Sequence, residues 1–163
     1  MPADTVIRPV AFADLPAVAK LAAELVGYHT KLDSARYMQI DNAAEGYAHF
    51  LASEIGNAKA VVLCADREGK IVGYTYATIE GRDWNALLDP HGALHDVFVD
   101  PSARRLGIAE KLIVETCRRL EALGAPRVLL HTAVQNKEGQ ALFAKLGFRP
   151  TMIEMTRERG AGS

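Results

Sequence analysis

The residues best suited to chemistry form a short turn between a predicted strand and a predicted helix. The turn is Arg104-Arg105-Leu106-Gly107-Ile108-Ala109, with two cations and two small residues at the start of a helical pattern. The first turn of a helix exposes unpaired N–H groups and a partial positive charge, so it favours a bound anion. Gly107 and Ala109 leave the backbone open to a phosphate. The pattern predicts phosphate binding; a tight turn with solvated arginines is the alternative.

Two flanking elements must position this turn. Residues 94–99 are apolar and β-branched and predict a strand, which ends at Asp100-Pro101. From Ile108 an apolar stripe at helical spacing continues up to Gly124, a typical helix stop. Residues 127–134 predict another strand, so this strand–helix–strand unit predicts a parallel pair joined by a right-handed crossover. The chain contains neither a P-loop nor a G-x-G-x-x-G motif.

The remaining elements follow from periodicity and turn residues. Asp14 is the predicted N-cap of the first helix, and Asp66-Arg67-Glu68-Gly69 is the predicted turn of a hairpin. The predicted elements are a strand at 5–10, helices at 15–26 and 42–55, strands at 59–65 and 71–79, a loop at 82–92, a helix at 137–146 and a last strand at 150–157. The result is a mixed α/β (α+β) layer structure. We expect a single domain over residues 1–159 and a flexible tail at 160–163.

Composition narrows the possible partners and compartment. The chain has 163 residues and a formal net charge of -1, so no global field favours nucleic acid or an anionic membrane. No apolar run is long enough to cross a bilayer, and the start lacks the pattern of a signal peptide. Cys64 and Cys117 are far apart, without metal-type spacing, and no metal is predicted. Both are interpreted as reduced thiols of a cytoplasmic protein, with a disulfide as the less favoured alternative.

The turn and a downstream segment resemble a known family. Arg104-x-x-Gly107-x-Ala109 matches the Q/R-x-x-G-x-G/A signature of the GNAT superfamily of N-acetyltransferases. Asn136, followed by Ala141-Leu142-Phe143 and Lys145-Leu146-Gly147-Phe148, is similar to its second motif, N-x(4)-A-L-Y-x-K-L-G-F. The resemblance implies a mostly antiparallel mixed sheet with a central splayed parallel strand pair and flanking helices. It also implies transfer of an acetyl group from acetyl-CoA to a primary amine of a small molecule or peptide.

The resemblance also implies how coenzyme A is bound. The main-chain amides of residues 105–109 would bind the pyrophosphate, and the main chain of Val97 and Val99 would pair with the pantetheine. Asn136 would reach the pantetheine, although it is equally suited to cap the helix that begins at Lys137. The implied cofactor-binding residues are Val97, Phe98, Val99, Arg104, Arg105, Leu106, Gly107, Ile108, Ala109, Asn136 and Phe143.

The catalytic groups depart from the family pattern. Acetylation of an amine requires a neutral nitrogen, a polarised thioester carbonyl and often a proton for the departing thiolate. Many GNAT members use a tyrosine of the second motif as the acid, and this chain has Phe143 there. Another group, water, or unaided departure of the thiolate must then serve instead. Tyr74 and Tyr76 are possible substitutes, or packing residues.

Three side chains are candidates for the general base. His131 and His95 lie on the strands beside the expected splay, and Asp96 follows His95. The resemblance matters here because some members carry a glutamate near these positions. An unperturbed histidine titrates near ~6.5, which suits it to accept an ammonium proton at neutral pH. Each could instead be a half-buried hydrogen-bonding residue. His29, His49 and His91 are expected on the surface or in loops.

The sequence constrains the acceptor site and the oligomeric state less than it constrains the cofactor site. Tyr28 and Asp33 fall near the first two helices, which in this family form part of the acceptor site, and Trp84 lies in the long loop. Trp84 could line a substrate pocket or anchor its loop on the core. A homodimer is expected through residues 151–156 of the last predicted strand, with an ordinary edge strand as the alternative. A non-catalytic acyl-CoA-binding module of the same fold is the alternative function, since it explains Phe143.

Overall fold

A five-stranded sheet organises the protein. The computed structural model describes residues 4–162. The strands are β1 (Thr5–Pro9), β2 (Ala60–Arg67), β3 (Lys70–Glu80), β4 (His91–Val99) and β5 (Val128–Leu130), and the helices are α1 (Leu15–Leu32), α2 (Ala43–Ile55), α3 (Ile108–Ala122) and α4 (Lys137–Lys145). The strands lie in the order β1-β2-β3-β4-β5. Three pairings are antiparallel, and β4 pairs with β5 in parallel. The predicted mixed, mostly antiparallel sheet with a parallel pair is confirmed.

Helices cover both faces of the sheet. On the α1/α2 face, Leu21 of α1 and Leu51 of α2 pack in one cluster with Tyr74 and Phe98 of the sheet. On the α3 face, the apolar stripe of α3 packs against the opposite side chains of the same strands. Along β2 the side chains therefore alternate between two buried clusters. Because both faces are buried, this strand is a nearly continuous apolar run, as expected of a central strand.

The hairpin between β2 and β3 forms as its turn residues predict. Glu68 and Gly69 both have positive φ angles, 54° and 84°, which suit the right-handed twist of the flanking strands. The amide of Gly69 donates to the Asp66 carboxylate at 2.8 Å. This turn sets the register that brings Tyr74, and Tyr76 after it, onto the α1/α2 face.

Asp14 stands at the N-cap position of α1, but its carboxylate does not cap that helix. It accepts from the Ala11 amide at 2.8 Å and from the Arg8 guanidinium at 2.7 Å. Arg8 also donates to Asp66 at 3.0 Å, so one arginine joins β1, β2 and the start of α1. The hydrogen bond from Arg8 lowers the pKa of Asp14. The predicted capping role is therefore replaced by an ion-pair role.

The predicted last strand at 150–157 is wrong. Within the described residues no strand follows α4, and the side chains of Met152, Ile153 and Met155 are 86%, 79% and 88% exposed. Side chains at both odd and even positions of the segment are exposed to solvent, so neither face of a strand here would be buried. The segment pairs with no strand among the described residues, and β5 ends at Leu130 instead of reaching residue 134.

Two other boundaries and the position of one histidine also differ from prediction. α1 continues to Leu32 through Gly27, at which an added Cβ would meet no atom within 4 Å. β4 begins at His91, so the preceding loop is shorter than predicted. His91 is 5% exposed and its Nδ1 lies 2.8 Å from the carbonyl of Asp89, so its expected surface position is wrong. A long helix tolerates one glycine when its other positions are well packed.

The two cysteines are free thiols on opposite faces of the sheet. Cys64 packs on the α1/α2 face and Cys117 against the α3 face. Burial raises the pKa of Cys64 to about 11, so this thiol is a poor nucleophile. No helix in residues 4–162 has the length and apolar character needed to span a bilayer. The cytoplasmic location stays a prediction, as does the tail at 160–163, of which Ser163 lies outside the described residues.

Candidate active site

The pairing of β4 with β5 ends in the middle of β4. The last paired residues are Leu94 and Leu130, and the residues that follow them are His95 and His131. Beyond this point the edge of β4 up to Val99 has no partner strand among the described residues. Extended backbone at such an edge carries N–H and C=O groups that can pair with another extended chain. Of the predicted splay the structure shows this loss of pairing, which arises because β5 ends at Leu130 and which lies at the edge of the sheet instead of its centre.

The turn after β4 offers a group of free amides. Arg105 and Gly107 have positive φ angles, 64° and 73°, and the N–H groups of Arg105, Leu106 and Gly107 have no hydrogen-bond partner among the described residues. The amides of Ile108 and Ala109 open α3 and have no intrahelical acceptor by geometry. A Cβ added at Gly107 would meet no protein atom within 4 Å, so the space beside it is open. An anion is the ligand that suits this arrangement.

The start of this turn is fixed by polar contacts. The Asp100 carboxylate accepts from the amide and the hydroxyl of Ser102 at 2.9 and 2.6 Å, and these hydrogen bonds lower its pKa. Arg104 donates to the carbonyl of Val99 at 3.3 Å, and its guanidinium lies 5.5 Å from the centre of the Phe98 ring. Arg104 is thereby held along β4, which leaves Arg105 as the freer cation of the pair.

A β-bulge puts two candidate bases on one face of the sheet. β3 pairs Tyr76 with Asp96 but Ala77 with Leu94, so His95 is the extra residue of β4. Normal alternation would place consecutive side chains on opposite faces. Here His95 stacks on Tyr76, with ring centroids 5.2 Å apart, while Asp96 accepts a hydrogen bond from the hydroxyl of Tyr74. Both side chains therefore face α1 and α2.

His95 is held by its neighbours on β3. Its Nε2 lies 2.7 Å from the hydroxyl oxygen of Thr78 and 3.7 Å from a carboxylate oxygen of Glu80. Thr78 donates its hydroxyl hydrogen to Glu80 at 2.5 Å. The side chain of His95 is 41% exposed, so a ligand can reach it. Its stacking partner Tyr76 donates to Glu54 of α2 at 2.5 Å.

Asp96 lies deeper in the same face. The hydroxyl of Tyr74, which is fully buried, donates to Asp96 at 3.0 Å. Burial raises the pKa of Asp96, and the hydrogen bond from Tyr74 and the charge of His95 oppose that change. Burial and the charge of Asp96 in turn raise the pKa of Tyr47 of α2 and of Tyr74. This carboxylate is thus the most desolvated of the three candidate bases.

The predicted site residues that follow β5 have fewer polar contacts with the sheet than His95 and Asp96 have. His131 is exposed, and no hydrogen bond to it is found within residues 4–162. Asn136 caps α4, since its side-chain oxygen accepts from the Gly139 amide at 3.0 Å, while its nitrogen donates to Thr132 at 3.2 Å. The capping alternative for Asn136 is confirmed. Phe143 is 9% exposed and packs in the α3-face core with its ring 6.0 Å from that of Phe148.

The residues predicted at the acceptor site lie on two segments, the end of α1 and the loop before β4. Tyr28 is 37% exposed beside His29 near the end of α1, and Asp33 caps the short turn that follows through the amides of residues 35 and 36. Trp84 is 76% exposed and contacts Arg82 by a cation–π interaction, so it does not anchor its loop on the core. In this structure the loop bearing Trp84 packs on itself, around the bridge between Asp83 and Leu88.

Sequence reasoning missed Thr78 and Glu80, although β3 contained a signal for them. Tyr74, Tyr76, Thr78 and Glu80 recur every second residue, so their side chains share one face. A polar row of this kind on an otherwise apolar strand indicates a site, because buried polar groups need partners. Glu54 was also missed, and only the packing of α2 on β3 brings it to Tyr76. Within the described residues no group of three or more His, Cys, Asp or Glu could hold a metal ion.

The comparisons with known proteins agree on one family. Residues 19–148 match the model of the Acetyltransferase (GNAT) family. A mycothiol acetyltransferase from Thermomonospora curvata is 30% identical over 96 residues, which cover 59% of this chain and 30% of that protein. The N-alpha-acetyltransferase daf-31 from Caenorhabditis elegans is 34% identical over 82 residues, covering 50% of this chain and 43% of that protein. The chain thus spans less than half the length of these two relatives.

A solved structure has a similar fold. The aminoglycoside N-acetyltransferase AAC(6')-Iy in complex with CoA superposes with a TM-score of 0.71 at 21% identity, covering 98% of this chain and 97% of that chain. At this identity the likeness shows the fold alone. Because the family model matches most of the sequence, the chain belongs to the GNAT family of acetyltransferases.

Proposed function

We propose that this chain is an N-acetyltransferase that moves the acetyl group of acetyl-CoA to a primary amine of a small molecule or peptide. One observation carries the proposal: the pairing of β4 with β5 ends beside His95, the residue that the bulge turns toward α1 and α2. A free strand edge and an accessible proton acceptor therefore meet at one point. The two substrates can approach this point from opposite sides and react directly in a ternary complex.

The cofactor side of the proposal rests on the turn and the strand edge. The amides of residues 105–109 would bind the pyrophosphate, helped by the charges of Arg104 and Arg105. The free edge of β4 at Val97 and Val99 would pair with the pantetheine, and Phe98, Asn136 and Phe143 complete the expected set. Acetyl-CoA supplies a thioester whose carbonyl carbon is open to attack by a neutral amine. The open space beside Gly107 and the unpaired amides fit such a ligand.

Among the three candidate bases, the structure favours His95. Its ring is held on two sides, by Tyr76 and by Thr78, yet remains accessible. Asp96 is already bonded to Tyr74 on the buried side of the sheet. His131 has no hydrogen-bond partner that would orient it. A base must be both oriented and reachable to take a proton from the acceptor. His95 therefore accepts the ammonium proton, and His131 and Asp96 remain the alternatives.

No side chain is assigned as the acid. Phe143 carries no proton to donate, and the hydroxyl hydrogens of Tyr74 and Tyr76 are already donated to Asp96 and Glu54. Burial raises the pKa of both tyrosines, which makes them weaker acids. A thiol has a pKa near ~8.5, so a thiolate can leave without a protein acid at neutral pH. Solvent then supplies the proton to the departing thiolate.

The acceptor is expected on the α1/α2 side. Tyr28 and Asp33 lie near the end of α1, and carboxylates at Glu54 and Glu80 line the same side of β3. Negative charge there suits an amine that arrives protonated. One relative named for N-acetyl transfer, an N-alpha-acetyltransferase, supports nitrogen as the acceptor atom. Trp84 joins this site only if its loop closes over the splay.

The alternative is a non-catalytic acyl-CoA-binding module of the same fold, which Phe143 favours. Two measurements distinguish the enzyme from the non-catalytic module. Calorimetry with acetyl-CoA tests binding, and release of free thiol in a panel of amines and peptides tests turnover. Binding with turnover of at least one amine supports the enzyme. Binding without turnover of any member favours the module. Absence of binding contradicts both.

The homodimer stays part of the proposal, but the argument for it is now a different one. The predicted strand at 150–157 is absent, so edge-to-edge strand pairing no longer argues for it. Three exposed apolar side chains, Met152, Ile153 and Met155, remain on this segment and would be covered in a dimer. Sedimentation at micromolar concentration should give a mass of two chains. A mass of one chain, unchanged when the three residues are replaced by serine, would remove the dimer.

A further inference from the structure

The polar row on β3 fixes which nitrogen of His95 carries hydrogen. Thr78 has a single hydroxyl hydrogen. That hydrogen is donated to the Glu80 carboxylate at 2.5 Å, because a carboxylate can only accept. The contact of 2.7 Å between Thr78 and Nε2 of His95 must then run the other way, with Nε2–H donating to the hydroxyl oxygen. In a neutral imidazole this leaves Nδ1 with a free lone pair.

The remaining contacts of the ring agree with this direction. Nδ1 of His95 makes no hydrogen bond within residues 4–162. One face of the ring is stacked on Tyr76 at an interplanar angle of 28°, and Tyr76 is itself held by Glu54. The ring is therefore restrained by one face and by its Nε2 edge. Nδ1 is the only nitrogen left to accept a proton.

We infer that Thr78 and Glu80 are positioning residues that hold His95 in the Nε2–H tautomer, so that Nδ1 takes the proton of the acceptor ammonium. This inference rests on the proposed function and names the device that orients its base. The proton moves from the ammonium nitrogen to Nδ1, while the Nε2–H stays bonded to Thr78. The imidazolium so formed lies 3.7 Å from the Glu80 carboxylate, which stabilises its charge.

Other charged and titratable groups also face this histidine. On β3 they are Tyr76 and Glu80, and on β4 the next residue is Asp96. From α2, Glu54 lies beyond Tyr76, and from α1, His29 acts on Asp96. Of these, only Glu80 is connected to Nε2 through a hydrogen-bonded hydroxyl. Removal of Thr78 or Glu80 is therefore the specific test.

Nitrogen-15 NMR of the histidine rings reads the tautomer without any need for turnover. We expect wild-type His95 to show the Nε2–H form. Thr78→Val removes the oxygen acceptor, and Glu80→Ala frees the hydroxyl hydrogen, so both variants should show mixed tautomers. Thr78→Ser keeps the hydroxyl and should keep the wild-type pattern. Glu121→Ala, an exposed change on α3, is the control for loss of a carboxylate elsewhere.

Kinetics on the same variants test the consequence. Thr78→Val should lower kcat about tenfold with little change in KM for acetyl-CoA, since one oriented hydrogen bond is lost. Thr78→Ser should restore most of the rate. An Nδ1–H signal in the wild type, or mixed tautomers in the wild type, would overturn the inference whatever the activity. An unchanged kcat in a Thr78→Val variant with mixed tautomers would overturn it too. Failure of every amine to react contradicts the proposed function, and the NMR result still decides the tautomer.

Discussion

The turn after β4 and the α1/α2 face of the sheet build their chemistry from different materials. In the turn, the groups suited to a ligand are main-chain amides in residues 105–109, and the surrounding side chains are largely exposed. On the α1/α2 face the groups are side chains joined in pairs, such as Tyr74 with Asp96 and Tyr76 with Glu54. One region works through backbone conformation, and the other through a side-chain network.

The difference explains why the two regions were not equally visible in the sequence. A backbone site needs consecutive residues of permissive type, so it leaves a short motif such as Arg104-x-x-Gly107-x-Ala109. A side-chain network draws its members from α2, β3 and β4, which are far apart along the chain. Its parts also depend on a bulge at His95 that shifts the register of β4 against β3. A substitution in the turn should therefore affect only its own neighbourhood. A substitution on the α1/α2 face should also affect the hydrogen-bond partners of the replaced residue.

The largest effect is expected from His95→Ala. Loss of the base should lower kcat by roughly 10²–10⁴-fold, the usual contribution of a positioned general base. KM for acetyl-CoA should change little, because the ring faces α1 and α2 and not the turn. Steady-state kinetics by thiol release measure both constants.

His131→Ala is the matched comparison for this variant. Both histidines follow the last paired residues of the parallel strands, but only His95 has oriented neighbours. We expect the His131 variant to retain most of the wild-type kcat. A large loss in His131→Ala together with a small loss in His95→Ala would transfer the role of base to His131. Equal losses would indicate that both histidines contribute.

The second largest effect is expected from Gly107→Val in the turn. A β-branched side chain is strained at a φ of 73°, and its Cβ would occupy the open space beside the free amides. Binding of acetyl-CoA should weaken at least roughly tenfold, about 1.4 kcal/mol. Calorimetry measures this directly. kcat at saturating cofactor should fall less than in His95→Ala.

Gly124→Val separates strain from lost binding. Gly124 also has a positive φ, 99°, and no atom within 4 Å of an added Cβ, but it lies after α3 and away from the turn. Both variants should lose similar stability, and only the Gly107 variant should lose affinity. Equal affinities in two folded variants would remove the pyrophosphate assignment.

Elements with their own periodicity or stop signals could be predicted from the sequence. The start of α3 follows from the apolar stripe after Gly107, and the β2–β3 hairpin follows from Glu68-Gly69. The wrong predictions concern segments whose secondary structure depends on pairing with another strand. Residues 150–157 have a strand-like pattern but pair with no strand in the part of the chain that the structure describes, and β5 ends at Leu130. β-propensity expresses fit to a neighbouring strand and so cannot create one.

The same division holds for the site. The positions of Arg105, Gly107 and Asn136 at a turn or a helix start were predictable from motif and capping rules. The choice between His95, His131 and Asp96 was not, because it depends on which side chains surround each ring or carboxylate. Thr78 and Glu80 were missed for that reason. Their spacing on β3 marked a shared face, but not the histidine that the bulge brings to it.

A smaller effect, on stability, is expected from Asp96→Asn. Burial raises the pKa of Asp96 above its value in the unfolded chain, so the folded state holds the proton more tightly. Its contribution to stability is therefore full below the unfolded pKa, near ~3.9, and is lost as pH rises through the folded pKa. Asparagine can still accept from Tyr74 and carries no charge.

The variant should consequently melt above the wild type at pH 7, with a gap that closes toward pH 4. Thermal unfolding by circular dichroism at a series of pH values measures it. A gap that stays constant over this range would show that ionisation of Asp96 is not its cause. A backbone site such as the turn should show no comparable dependence.

The smallest effect is expected from Phe143→Tyr, which returns the family's usual hydroxyl to the second motif. Phe143 is 9% exposed and packs with Phe148 in the α3-face core, so the new hydroxyl has to find a partner there or reach the splay. A well-placed general acid contributes roughly 10²–10⁴-fold. We expect at most a severalfold rise in kcat, because an enzyme without this acid must already release its thiolate by another route.

A rise of that size, with unchanged KM for acetyl-CoA, would show that thiolate departure limits the native rate. An unchanged kcat with intact binding would place protonation in solvent, whereas loss of acetyl-CoA binding would show that Phe143 packs against the cofactor and that the position is not a vacated acid site.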